Sequence, residues 1–333
     1  MAVIRDMIPS FELLQPTSVE EALDQLDQHR EDAWVMAGGM DTFDWLKDRI
    51  ERPEVVVDLG GISDLTRIRT TDDGIEIGSM VTLTEVSRNA DVQERFPALA
   101  QAAGRVASPQ IRNQGTIGGN VSQDVRCWYY RSGWPCYRAG GNICYADTPT
   151  AMNREHAIMG QDRCVAVNPS DTAPALVVLG AQFVVRRRGS ERVIDAEDFW
   201  VGPGVDITRI TAMRPNDLLV AIRIPNDMAG TRQYFEKVAD RKVWDFPLVN
   251  VASAARVEGG TIQEIRLAVN GVSPVPVRLS EVEQALVGNE VNERSEDLGG
   301  RLAIRGARAL RHNQYKIPMM RNLVKRAIRG EQA

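Results

Sequence analysis

Apolar positions switch repeatedly between a period of two and a period near 3.6, and the switches divide the chain into segments. Residues 11–14 read as a short strand. Pro16-Thr17-Ser18 then turns the chain into a helix whose apolar stripe is Ala22, Leu23 and Leu26. Ser18 and Glu21, three residues apart, form a capping box at its start. Trp34 to Ala37 is a buried strand running into Gly38-Gly39. A second helix is predicted over 41–51, with Phe43, Leu46 and Ile50 at helical spacing, and 55–59 is another apolar strand. Together these make a small βαβ-like lobe.

A second lobe begins near residue 60, with a strand over 75–83 and a helix over 84–104 broken by Pro97. Residues 113–171 hold no sustained period and are rich in Gly, Pro and aromatic residues. Regular patterning resumes with a helix over 172–179 and strands over 182–188 and 218–225, and 226–230 reads as a linker. Beyond it lie strands over 234–239, 248–257 and 262–270, with a hairpin signal at Glu258-Gly259-Gly260. Helices follow over 280–286, 298–311 and 317–328. The last places Met320, Leu323, Val324, Ala327 and Ile328 on one face. The predicted class is α+β, with one domain over 1–226 (lobes about 1–59 and 60–226) and a smaller one over 231–333.

Composition narrows the partners. The 333 residues carry a net charge of −5, which argues against a nucleic-acid binder that must neutralise phosphates. Residues 1–16 mix Arg5, Asp6 and Glu12 among apolar positions and contain no signal-peptide core. The longest apolar run, 173–185, is too short to span a bilayer, so no transmembrane segment is expected. Four cysteines in a chain this long are not a disulfide scaffold, and a cytoplasmic setting is expected, with export on a partner's signal as the alternative.

The chemistry concentrates in three places. Met36 to Thr42 joins a strand to a helix through Gly38-Gly39, a geometry that aims free N–H groups at an anion. Asp41 there is a candidate helix cap or ribose acceptor. Gly115-Thr116-Ile117-Gly118-Gly119-Asn120 is a second glycine loop. Neither matches a Rossmann or P-loop pattern, and each alone is also what a tight turn uses. Cys127, Cys136, Cys144 and Cys164 are separated by 9, 8 and 20 positions. No close pair favours zinc. The spacing leaves a metal site and four unliganded thiols both open. Arg126, Arg131, Arg138 and Arg163 would favour thiolates, and Trp128, Tyr129, Tyr130 and Trp134 would exclude water. His156, in the same segment, reads as structural.

Ala37-Gly38-Gly39-Met40-Asp41, Thr116-Ile117-Gly118-Gly119-Asn120 and Pro169-Ser170-Asp171 together resemble the flavin-binding subunits of the molybdenum hydroxylases, the xanthine dehydrogenase and carbon monoxide dehydrogenase family. The likeness runs over essentially the whole chain and includes Leu218-Leu219, Tyr234-Phe235-Glu236-Lys237 and Gly271 to Pro276. It implies a two-lobed FAD-binding domain of the PCMH (vanillyl-alcohol oxidase-like) type and a smaller C-terminal domain of the carbon monoxide dehydrogenase flavoprotein type. It implies FAD contacts at Met36, Ala37, Gly38, Gly39, Met40, Asp41, Thr42, Thr116, Gly119, Asn120, Gln123, Asp171, Leu219 and Lys237. Met40 departs from the Thr or Asn usual there. The four-cysteine segment, about 124–167, resembles an insert in the flavin subunits of 4-hydroxybenzoyl-CoA reductase and periplasmic aldehyde oxidoreductase. That likeness implies a [4Fe-4S] cluster on Cys127, Cys136, Cys144 and Cys164. The implied function is electron transfer within a heterotrimeric oxidoreductase, with no catalytic residue on this chain. Its partners would be a molybdenum-cofactor large subunit, a [2Fe-2S] small subunit, and an external electron acceptor or donor. One candidate partner face is the basic stretch of Tyr315, Lys316, Arg321, Lys325 and Arg326, whose default reading is a solvated helix face. The alternatives are a stand-alone FAD oxidase or reductase and a zinc-stapled interaction module.

Overall fold

The computed structural model describes residues 8–330. The absence of a signal-peptide core, expected over residues 1–16, falls in part on 1–7, outside the described residues. The first lobe is a parallel sheet of β1 (Glu12–Leu14), β2 (Ala33–Met36) and β3 (Val55–Asp58), in the order β1-β3-β2. The helix Val19–His29 lays Val19, Ala22, Leu23 and Leu26 over Val55 and Val57. Ser18 Oγ accepts the Glu21 N–H at 3.2 Å, but the Glu21 carboxylate reaches back to Thr17 N, at 2.8 Å, one residue beyond the expected box.

The second predicted helix is shorter than its pattern. It covers only Thr42–Lys47, and Arg49 at φ 56° ends it. Its inward face is Thr42, Trp45 and Leu46, whereas Phe43 is exposed and Ile50 lies past the end. Trp45 is drawn inward by contacts from distant residues described below.

The second lobe is an antiparallel sheet of β4 (Ile68–Thr71), β5 (Gly74–Gly78), β6 (Gln182–Arg187), β7 (Ser190–Asp195) and β8 (Leu218–Pro225), ordered β4-β5-β8-β6-β7. The chain leaves this sheet at Gly78 and re-enters at Gln182, and that excursion carries the functional segments. Its helical start divides in three rather than two: Leu83–Arg88, Ala90–Arg95 and Pro97–Gly104. Asn89 is extended (φ −64°, ψ 129°), ending the first helix while its side chain caps the second. β4 and β7 escaped the hydrophobic pattern because they are edge strands with mostly exposed side chains.

The C-terminal sheet contains β9 (Arg232–Val238), β10 (Val249–Glu258), β11 (Thr261–Asn270) and β12 (Val277–Arg278), in the order β12-β11-β10-β9. Gly259 (φ 55°) and Gly260 (φ 83°) turn the β10–β11 hairpin, two left-handed positions that favour glycine. The helix Lys316–Arg329 packs Met320, Leu323, Val324, Ala327 and Ile328 against this sheet. The expected linker at 226–230 is pinned. Met228 is buried, and Gly230 N donates to Arg95 O at 2.9 Å.

The helix expected over 298–311 is Glu293–Ala303. A Cβ on Gly299 would lie 2.3 Å from Ile328 Cδ1, so the glycine permits close helix packing that its low propensity otherwise disfavours. Past Ala303 the chain clamps residues 155–158 instead of continuing the helix. Arg308 N donates to Ile158 O (2.7 Å), and Asn313 Nδ2 to His156 O (3.0 Å) and Ala157 O (3.1 Å). Lys316 Nζ donates to Glu155 O (2.8 Å) and Gly271 O (2.7 Å).

The cations of the basic stretch are thus tied down within the chain. Lys316 is fully buried, Arg326 pairs with Glu236 (2.6 Å), and Lys325 and Arg321 share Asp297 at 2.7 and 3.7 Å. Burial pulls the Lys316 ammonium down to about 7 from an ordinary 10.5. Between those values the unfolded chain binds more protons than the folded one, so this group makes stability rise with pH. Relative to Lys316→Met, the wild type should gain about 1–2 kcal/mol of unfolding free energy between pH 7 and 9. Denaturant titrations at both pH values read it, and equal changes in the two proteins would contradict the assignment.

Candidate functional site

The two glycine loops, distant in sequence, face each other across one groove of about 150 Å³. Its walls include Ala37, Gly38, Gly39, Met40, Asp41 and Thr42 on one side, and Thr116, Gly119, Asn120 and Gln123 on the other. The loops approach closely. A Cβ on Gly38 would sit 2.0 Å from Gln114 O, and one on Gly118 would sit 2.6 Å from Ser79 O.

Their hydrogen bonding is asymmetric. In the second loop every main-chain donor from Ile117 to Asn120 is used internally: Ile117 N on Val81 O, Gly118 N on Ser79 O, Gly119 N on Thr116 Oγ1, and Asn120 N on Thr116 O. The N–H groups of Ile117 to Asn120 are therefore not available to an anion. In the first loop the N–H groups of Gly38 to Thr42 have no partner among the described residues. That loop precedes the helix Thr42–Lys47 and leaves these donors free. Met40 leaves its side chain partly exposed at the groove and offers no hydrogen there. Gln123 Oε1 is buried at the groove and has no partner among the described residues.

Asp41 neither caps its helix nor stands free. It accepts Arg126 Nη1 at 2.6 Å, Arg131 Nη2 at 2.8 Å and the Trp45 indole at 3.1 Å. The Arg131 guanidinium lies over the Trp45 ring, 3.6 Å from its centroid. The first glycine loop is thereby bound to the cysteine segment.

Met36, Asp171, Leu219 and Lys237 are not among the groove's walls. Met36 ends β2 just before the loop, and Leu219 packs within the second-lobe core. Asp171 is buried against Lys237 Nζ (2.6 Å) and Asn250 Nδ2 (3.1 Å). Burial drives its carboxyl above the ordinary range against the pull of Lys237. The neighbouring Ser170 and Thr172 hydroxyls both donate to Asn120 Oδ1, at 2.7 and 2.6 Å. Asp171, held by Lys237 and Asn250, thus sits between the two residues whose hydroxyls hold Asn120 of the second loop. Periodicity had no means of finding Trp45, Asn250 or Arg131, whose roles depend on long-range pairing.

All four cysteines line a second, small cavity together with Tyr129, Tyr130, Tyr137, Tyr145 and Arg163. No three His, Cys, Asp or Glu side chains among the described residues are grouped to hold a single metal ion. The thiols instead share the walls of that cavity. Burial pushes Cys127 up to about 12 and Cys164 up to about 11, and raises Cys144 as well. The expected arginine support is largely directed elsewhere: Arg126 and Arg131 bind Asp41, and Arg138 binds Asp124 at 2.7 Å. Cys127 also lines a larger cleft of about 550 Å³ between the insert and residues 240–248, on whose wall His156 and Arg126 sit.

Residues 9–227 match the FAD binding domain in molybdopterin dehydrogenase, and residues 233–330 match the CO dehydrogenase flavoprotein C-terminal domain. The chain belongs to the FAD-binding medium subunits of the molybdenum hydroxylases. It is 34% identical to the aldehyde oxidoreductase FAD-binding subunit PaoB of Escherichia coli (strain K12), over 76% of this chain and 79% of that one. It is 29% identical to the carbon monoxide dehydrogenase medium chain of Hydrogenophaga pseudoflava, covering 96% of each. A solved carbon monoxide dehydrogenase structure from the latter organism matches with a TM-score of 0.77 and 28% identity, over 97% of this chain and 98% of that one. The medium subunit described here is an FAD-binding, electron-transferring part of a multi-subunit oxidoreductase. No helix among its described residues is long and apolar enough to cross a membrane.

A Cβ on Gly119 would lie 3.7 Å from Ala37 Cβ and 3.1 Å from Thr116 Oγ1, so any side chain there enters the gap between the loops. Gly119→Val should weaken FAD binding by at least about tenfold, or 1.4 kcal/mol, while the circular dichroism spectrum stays native. Flavin fluorescence on release measures it, and full FAD retention would contradict the assignment of the groove.

Proposed function

We propose that this medium subunit holds FAD with its diphosphate between the two glycine loops and carries a [4Fe-4S] cluster on Cys127, Cys136, Cys144 and Cys164. The groove-lining residues of 37–42, with Thr116, Gly119, Asn120 and Gln123, contact FAD. Met36 positions the first loop, Asp171 and Lys237 brace the second, and Leu219 acts through the core behind it. The unpaired N–H groups of Gly38 to Thr42 support this reading most directly, since a diphosphate is an acceptor-rich anion. FAD, when bound, exchanges electrons one or two at a time. The chain's part is to orient it and to exclude water.

The cluster reading rests on the convergence of the four thiols on one cavity walled by aromatic rings. Tyr129, Trp134 and Tyr145 pack together there, with centroids 4.8 to 6.2 Å apart. A cubane needs thiolates around a volume, whereas zinc needs them around a point. The matched families are described by FAD alone, so the cluster stands on these residues. Deprotonating such buried thiols is costly, and iron supplies the compensation.

The partners in this reading are a molybdenum-cofactor large subunit, where the organic substrate reacts, and a [2Fe-2S] small subunit. This chain passes electrons between the small subunit and an external acceptor or donor. The domains divide at about residues 226–231. The four free thiols suit the cytoplasm, with a periplasmic complex exported on a partner's signal as the alternative.

Anaerobically purified protein should contain about four irons per chain beyond those of its partners, and Cys144→Ala should lose them. Stoichiometric zinc would contradict the cluster. The isolated chain should bind FAD yet leave aldehydes, purines and aromatic thioesters unchanged. Turnover of any of these at about 1 s⁻¹ or faster would overturn the subunit reading.

A further inference from the structure

His156 is the one imidazole at the cysteine site, and its placement is specific. Its Nε2 lies 3.3 Å from Cys127 Sγ. The residue is buried, and its main chain is held by the C-terminal clamp through Asn313 to His156 O and Lys316 to the neighbouring Glu155 O. His156 lines the cleft and not the thiol cavity, so it stands behind Cys127 and not among the four sulfurs.

The tautomer follows from the partners. Nδ1 is buried and has no partner among the described residues. A sulfur bound to iron is a thiolate and presents only lone pairs. With the proton on Nδ1, a buried N–H would have no acceptor and two lone pairs would face each other at 3.3 Å. With the proton on Nε2, the imidazole donates to the sulfur and leaves only a bare acceptor at Nδ1.

We propose that His156 is a positioning residue that donates Nε2–H to Cys127 Sγ and thereby sets the reduction potential of the cluster above that of the same cluster without this bond. The inference rests on the [4Fe-4S] reading. Reduction adds one electron, supplied within the complex by the flavin, and that charge spreads onto the sulfurs. No bond breaks and the proton stays on Nε2. A donor at the sulfur stabilises the reduced form more than the oxidised form, which is how hydrogen bonds to sulfur tune such centres. The clamp gives the bond a purpose for the second domain: Asn313 and Lys316 hold the donor, so the C-terminal domain sets the orientation of a ligand's neighbour in the first.

The test is an EPR-monitored redox titration of the assembled complex carrying wild-type, His156→Leu or His156→Gln chains. The leucine variant should show a lower midpoint. At the wild-type midpoint its oxidised-to-reduced ratio should be about tenfold higher, equivalent to about 59 mV for one electron. Glutamine, which keeps a donor, should recover part of the shift. Wild-type midpoints in both variants at full iron content would overturn the inference while leaving the cluster intact. A wild-type complex lacking the extra iron would overturn the cluster reading and this inference with it. Should the leucine variant lose its iron, wild-type complex labelled with ¹⁵N-histidine decides. Pulsed EPR of the reduced cluster should show a histidine nitrogen coupling that disappears in the glutamine variant, and its absence from the wild type would overturn the proposal.

Discussion

The carboxylate of Asp41 is the junction on which the site depends. It ends the loop that carries the unpaired N–H groups, and it accepts two guanidiniums and an indole from elements far away in sequence. Arg126 is followed directly by Cys127, and Arg131 closes the short helix Trp128–Arg131 that begins after that cysteine. A sheltered ion pair of this kind contributes modest net stability compared with an apolar replacement of the whole group. Removing only the carboxylate is different, because it leaves Arg131 and Arg126 together with only Asp44, 3.6 Å from Arg126, as a remaining counter-charge. Asp41 therefore acts chiefly to specify position: it makes the first glycine loop and the cysteine segment a single unit.

The two glycine loops divide their work on physical grounds. The second loop uses its main-chain donors from Ile117 to Asn120 within the protein, so it is a wall, and its glycines serve close approach to Ser79 and to the opposite loop. The first loop keeps its donors free, so it is the electrostatic half of the groove. Rigidity in the second loop comes from a polar chain running Asn120, Ser170, Asp171, Lys237 and Asn250, which ends in the C-terminal sheet. That chain explains why a small C-terminal domain with no wall in the groove still matters to it: through Asn250 and Asn270 it holds the loop of 168–171 in place.

Much of this was legible in the sequence, and the limits have causes. Long strands with strong alternation or continuous apolar runs, such as β8, β10 and β11, were recovered nearly to the residue because burial dictates their composition. The Gly-Gly loops were recognisable because close approach requires glycine. The exposed edge strands left no apolar signal, and the helix expected over 298–311 ended early because residues 304–316 form contacts with the insert that no local propensity reports. At the site, spacing alone could bring neither the four cysteines together nor Asp41 to Arg126 and Arg131. The ion pairs of the basic terminal stretch were hidden for the same reason, since each partner lies far away in sequence.

The central claim is that flavin loop and cysteine segment form one coupled unit through Asp41, and Asp41→Asn tests it most directly. Asparagine preserves size and removes the charge that both arginines share. Flavin and iron content should be measured together on the same anaerobic preparation of the variant complex. The account predicts that both fall, in step, with the far-ultraviolet circular dichroism spectrum unchanged. Full iron with flavin lost, or full flavin with iron lost, would contradict the coupling and leave two independent sites on one fold.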